Sequence, residues 1–174
     1  MSSGELSKFV LELLGLSVKK LEEPNGRKES DFLAYFKGET FLIEAKLKQD
    51  DKKEVAKRGK VLSQGDVYMK DAVLGRDETI SGAFSNARDQ LLSSAKVHEH
   101  DLRMIFHLSR GINSKAKCEK AKDTLLGRTN IFSMTDSTWK PCYFFRHSDF
   151  FRHKHAFECG IKFDDLFEPT FSKI

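Results

Sequence analysis

Residues 29–48 read ESDFLAYFKGETFLIEAKLK, and the fold turns on how this stretch is paired. Two short apolar runs flank the Gly-containing turn Lys37-Gly38-Glu39-Thr40, which predicts a β-hairpin. Pairing Phe36 with Phe41 sets Asp31 opposite Lys46 and Leu33 opposite Glu44. Side chains alternate along a strand, so Asp31, Glu44 and Lys46 are expected on one face at the hairpin's open end. Glu44 is then the diagonal neighbour of Asp31, roughly 7–8 Å away between Cα atoms, within reach of one bridging cation. Phe32, Ala34, Phe36, Phe41, Ile43 and Ala45 take the other face, which reads as core.

Two carboxylates and an amine within apolar strands are costly to bury unless a metal or mutual pairing offsets them. Hard oxygen ligands in a pair suit Mg²⁺, or Mn²⁺ in its place, which keep several waters and accept phosphate oxygens. A lysine beside them is suited to orient or deprotonate an attacking water, or to stabilise charge growing on phosphorus oxygens. Together these are the parts of metal-assisted phosphodiester hydrolysis. An ordinary salt bridge from Lys46 to Asp31 or Glu44 is the competing explanation of the same spacing.

Asp31, followed by Glu44-Ala45-Lys46 at the end of the next strand, resembles the PD-(D/E)XK nuclease superfamily. Within it, the order of elements is most similar to archaeal Holliday-junction resolvases and short restriction-type endonucleases. The resemblance covers residues 4–48 and, in outline, 83–109; Ser30 stands where the family has proline. It implies an α/β fold with a restriction-endonuclease-like core, a central mixed β-sheet flanked by helices. The implied activity is divalent-metal-dependent DNA endonuclease, of restriction or defence type, leaving a 5′-phosphate. The alternatives are a Holliday-junction resolvase or an inactive nucleic-acid-binding module of the same fold. The resemblance also assigns roles: Asp31, Glu44, the Ala45 carbonyl and Glu5 to the metal, Lys46 to the water or the phosphate, and Gln90 beside them.

Around the hairpin, Leu6, Phe9, Val10, Leu13 and Leu14 follow helical spacing up to Gly15. Glu5 lies at the edge of that stripe. Two readings of it stand: a metal ligand, or the partner of Ser2 in a capping box. Glu12 is a lesser candidate, further round the helix. Leu16–Leu21 reads as a strand, and Pro24-Asn25-Gly26 as the turn before Arg27 and Lys28, which stand at the site's edge. Residues 49–82 leave the family outline and read as an insertion or flap broken by Gly59, Gly65, Gly75 and Gly82. Lys48, Lys52, Lys53, Lys57, Arg58 and Lys60 are the expected nucleic-acid contacts, binding phosphates without reading sequence. A mixed-charge surface segment is the alternative.

A second amphipathic helix is expected over Ala83–Val97 with Gln90 at its edge, then a buried strand over Leu102–Ser109. His107 in that strand reads as packed and hydrogen-bonded rather than catalytic. Ser114–Leu126 reads as a charged helix, and Asn130–Phe145 as strands around a Trp139-Lys140-Pro141 break. Nine of the fifteen phenylalanines fall from Phe132 to Phe171, more than a sheet edge needs. That predicts a secondary core or a homodimer interface. Cys142, His147, His153, His155 and Cys159 lack the spacing of a structural zinc site. Arg146, His147, Arg152, His153 and Lys154 instead read as a basic, aromatic-interleaved stretch facing nucleic acid.

The whole is expected to be one domain over 1–174: core 1–48 and 83–109, insertion 49–82 and an aromatic extension 110–174. With 39% hydrophobic and 32% charged residues the composition is that of a folded chain. A net charge of +4 is compatible with DNA but does not demand it. No apolar run approaches the roughly 18–20 residues of a membrane span. Three widely spaced cysteines and no secretory start predict a cytoplasmic protein. There is no Gly-rich phosphate loop and no recognisable Ser-His-Asp set.

Overall fold

A computed structural model describes residues 2–22, 29–69, 75–164 and 170–172, with side chains placed as far as residue 160. Arg27, Lys28 and the turn at Pro24-Asn25-Gly26 lie outside the described residues, as do the side chains of Phe163, Phe167 and Phe171.

The chain is α/β. Helix α1 (Ser3–Leu13) is followed by three antiparallel strands, β1 (Ser17–Lys20), β2 (Phe32–Phe36) and β3 (Glu39–Lys48). Helices α2 (Lys52–Ser63) and α3 (Glu78–Ser94) lead to β4 (Leu102–Ser109), which runs parallel to β3. Then come α4 (Ser114–Leu126), a separate ribbon of β5 (Arg128–Ser133) and β6 (Thr138–Tyr143), and the short α5 (Asp149–Arg152). Strands β7 (Cys159–Asp164) and β8 (Thr170–Ser172) finish a mixed sheet of order β1-β2-β3-β4-β7-β8.

Helices cover the sheet on both sides, so its central strands are apolar on both faces. One layer joins Val10 and Leu11 of α1 to Phe32, Ala34, Ile43, Met104, Phe106 and Leu108. The other joins Ile80, Phe84, Ala87 and Leu91 of α3 to Leu33, Leu42 and Ile105. Full burial of the larger of these side chains contributes about 1.5–3 kcal/mol each, and Glu44 lies among them.

The hairpin forms, but in a different register. Phe36 pairs with Glu39 and Phe32 with Ile43. The turn is therefore the two residues Lys37-Gly38, both in the left-handed region (φ 49° and 86°), as a tight type I′ hairpin requires. Continued by one residue, this register sets Asp31 opposite Glu44 rather than Lys46. The slip is two residues, so every side chain keeps its face.

Other boundaries also differ. The buried stripe of α1 is Ser7, Val10 and Leu11, while Phe9 and Leu13 are exposed. Gly59 and Gly82 do not break the chain: each lies inside a helix. Asp51 caps α2 by accepting from the Lys53 N–H, and Asp77 caps α3 by accepting from Thr79 and Ile80. Pro141 is inside β6, paired with Asn130, not at a break; a two-stranded ribbon has a free edge for it on either side.

Candidate active site

Glu44 is the centre of the candidate site. It is 1% exposed, on the β3 face that looks toward α3. Its Oε1 accepts from Lys46 Nζ at 2.6 Å, and its Oε2 is buried with no hydrogen-bond partner. Burial pushes the Glu44 carboxyl up to about 7; the negative charge of Asp31 adds to the rise, and Lys46 opposes it. Lys46 and Glu44 share a face because they are two residues apart on one strand.

Gln90 on α3 completes this group. Lys46 Nζ donates to Gln90 Oε1 at 3.0 Å, and Gln90 Nε2 donates to the Glu29 carbonyl at 3.2 Å. One turn further along, Ser94 Oγ accepts from the Ser30 N–H at 2.7 Å. Helix α3 thus fixes both the lysine and the chain that leads into β2. The buried Glu29 carboxylate contacts His98 Nε2 at 3.1 Å just beyond the helix. Sequence reading missed Glu29, His98 and Ser94, because no local spacing signals a contact made across more than sixty residues.

Asp31 behaves differently. It lies one residue before β2, and its Oδ2 accepts from the Ala45 N–H at 2.9 Å. A strand N–H lies in the sheet plane, so this carboxylate reaches the β3 backbone at the open end of the hairpin. On its other side Ser3, Gly4 and Ser7 of α1 face it across an open cavity of about 380 Å³. Glu44 and Lys46 share a face as expected, and the register continued by one residue sets Asp31 opposite Glu44. Asp31 joins them at the same end of the sheet, close enough to raise the Glu44 carboxyl.

Glu5 is not brought to this group. It is exposed and closes the capping box, accepting from the Ser2 N–H at 2.6 Å, which holds its carboxyl low. The buried stripe of α1 begins at Ser7, with Ser3 one turn before it, and at about 100° per residue Glu5 points well away from both. Glu12 is exposed and pairs with Lys8 at 3.7 Å. His107, next to Lys46 across β3 and β4, is buried with Nε2 3.0 Å from Ser109 Oγ and its ring edge-on to Phe84. Burial lowers its imidazole to about 4, so it is neutral at ordinary pH.

The basic residues after β3 divide. Lys48 and Arg58 line a groove of about 710 Å³ between α2 and α4, together with Lys117 and Lys120. Acids share that groove: Asp50 pairs with Lys117 and accepts from the Ile112 N–H at 3.0 Å. Lys52, Lys53, Lys57 and Lys60 instead stand exposed on the rest of α2, a helix with no buried residue. Among the described residues no three histidine, cysteine, aspartate or glutamate side chains come together as a metal cage. Nor is any described helix long and apolar enough to cross a membrane.

Compared with protein-family models, curated proteins and solved structures, the chain matches none of them.

Proposed function

We propose that this chain is a divalent-metal-dependent DNA endonuclease of PD-(D/E)XK type, with Asp31, Glu44, Lys46 and Gln90 as its working residues. The supporting observation is Glu44: a carboxylate sealed among apolar side chains, with one oxygen on Lys46 and the other bare. Such a group is destabilising as an anion unless positive charge comes to it. A bare buried oxygen, a second carboxylate at the same sheet end and the nearby Ala45 backbone fit a small hard cation. Bound there, Mg²⁺ would supply Lewis acidity toward a phosphate oxygen and make a water easier to deprotonate.

The chain's own residues do the rest. Gln90 holds the Lys46 ammonium between two oxygens, so its charge is fixed where negative charge grows on phosphorus oxygens and costs no reorganisation then. Ser3, Gly4 and Ser7 are small, which leaves the space in front of Asp31 open for a phosphate or water. Glu44→Ala and Lys46→Ala are each expected to abolish Mg²⁺-dependent plasmid cleavage while circular dichroism stays native. Full cutting by either variant overturns the proposal.

The closed Lys46–Glu44 ion pair favours a second reading, a non-catalytic nucleic-acid-binding module in which this contact is structural. Mg²⁺ separates the two. A metal site raises the wild-type melting temperature and leaves Asp31→Ala unmoved, because a ligand that binds only the folded state stabilises it. In the structural reading neither protein responds.

A further inference from the structure

The β5–β6 ribbon packs into neither core layer, and most of its side chains are exposed. Directly paired residues share a face, so Phe132 and Trp139, and likewise Arg128 and Tyr143, lie on the same side of the ribbon. The Phe132 and Trp139 rings meet at 5.3 Å between centroids, inclined by 61°. Trp139 is nonetheless 69% exposed and Tyr143 55%. The chain then turns through Phe145, 72% exposed, whose ring is 5.9 Å from that of Phe151. A two-stranded ribbon is marginal in water by itself, and exposed aromatic surface of this extent marks a contact.

Charge selects the occupant. Residues 128–155 hold five basic side chains, Arg128, Lys140, Arg146, Arg152 and Lys154, against two acidic ones. Asp149 is fully buried and Asp136 is paired with Lys140; Arg128 pairs with Asp123 and Arg152 with Asp149. Little negative charge therefore faces outward, and the exposed Arg146 and Lys154 carry the outward positive charge. Lys154 already lies over the Phe151 ring at 4.9 Å. A second copy docked face to face would set these cations against themselves, since a two-fold contact pairs one patch with itself. A polyanion with flat faces meets both features: bases stack on the rings and phosphates meet the cations.

We infer that the aromatic face of the ribbon, with Phe145 in the turn after it, is a stacking platform for unpaired nucleotides of single-stranded nucleic acid. Binding there needs no cleavage and no metal, so it stands or falls apart from the nuclease proposal. Trp139 is the only tryptophan, so its fluorescence reports from the platform itself. Titrating the intact protein in EDTA with a twenty-nucleotide oligo(dT) is expected to quench that fluorescence saturably. A blunt duplex of the same length leaves it nearly unchanged.

Trp139→Ala and Phe145→Ala are each expected to weaken oligo(dT) binding about tenfold, read by anisotropy of a labelled strand, with Trp139→Phe retaining most of it. Arg146→Glu and Lys154→Glu, both exposed, lie outside the ribbon and keep the test sound if Trp139→Ala disturbs it. They should lower affinity and flatten its salt dependence. Absence of quenching, or unchanged oligo(dT) affinity in all four loss variants, overturns the inference. Loss of a dimer in Trp139→Ala with oligo(dT) binding intact assigns the face to a second copy instead.

Discussion

At the level of single residues, Glu44 and His107 are two buried groups whose titrations oppose each other. The Glu44 carboxyl rises from 4.5 to about 7 on folding. The stability it contributes is therefore complete below pH 4.5 and lost as pH rises through about 7. The His107 imidazole falls from 6.5 to about 4. Its contribution is complete above pH 6.5 and lost as pH falls through about 4. Each shift corresponds to roughly 3 kcal/mol, and the two nearly cancel between pH 4.5 and 6.5. Removing either should expose the other. Relative to wild type, Glu44→Gln should gain stability as pH rises from 4.5 to 7, and His107→Leu should gain as pH falls from 6.5 to 4. Urea midpoints at pH 5 and pH 7 measure this, and parallel curves for wild type and Glu44→Gln would mean that Glu44 ionises normally.

At the level of elements, the hairpin shows why some features were legible and others not. The short apolar runs FLAYF and FLIEA either side of a Gly-containing turn marked both strands, and the alternation of side chains along a strand assigned their faces. The register was not legible, because a four-residue turn and a two-residue turn share that alternation. What separates them is the backbone at Lys37, held at φ 49° although lysine disfavours the left-handed region. Asparagine tolerates that conformation better, and Asn-Gly is the preferred pair for this turn. Lys37→Asn gives up the cation–π contact of Lys37 with Phe36 at 5.1 Å, worth little on the surface. The expected net gain is about 0.5 kcal/mol, or 1–2 °C in melting temperature for a chain of this size. Helix α1 illustrates the opposite limit. Its apolar residues suit a stripe through Phe9 and Leu13 as well as the one the sheet selects through Ser7 and Leu11. Only tertiary packing decides, and that rotation brings Ser3 and Ser7, not Glu5, toward Asp31.

At the level of the whole molecule, the candidate site lies where the sheet ends and helices from distant parts of the chain converge. The Glu44–Lys46 pair could be read from the sequence because both members ride on one strand. Gln90 was expected beside them from the resemblance; the Glu29 and Ser94 contacts depend on how α3 lies over the sheet, and the division of the basic cluster depends on where α2 projects. Helix α2 buries none of its residues, so its composition is free of packing demands. Its groove side carries Asp51, Glu54, Val55 and Arg58, a mixed set. Lys53, Lys57 and Lys60 recur at intervals of four and three residues, which places them along another side as a purely basic stripe. A stripe spaced along one helix can follow one backbone strand and bind phosphates without reading bases. The triple variant Lys53→Glu, Lys57→Glu, Lys60→Glu should keep the wild-type melting temperature within about 1 °C, since exposed sites away from packed features shift stability little. Its affinity for duplex DNA should fall at least about tenfold, and the slope of log affinity against log salt should shrink by about 3 × 0.9 if each lysine meets one phosphate. The slope is the decisive reading, because loss of affinity alone can also follow from the six-unit charge change repelling DNA at a distance. An unchanged slope would leave α2 as an ordinary solvated face and move the DNA path to the groove that Lys48 and Arg58 line.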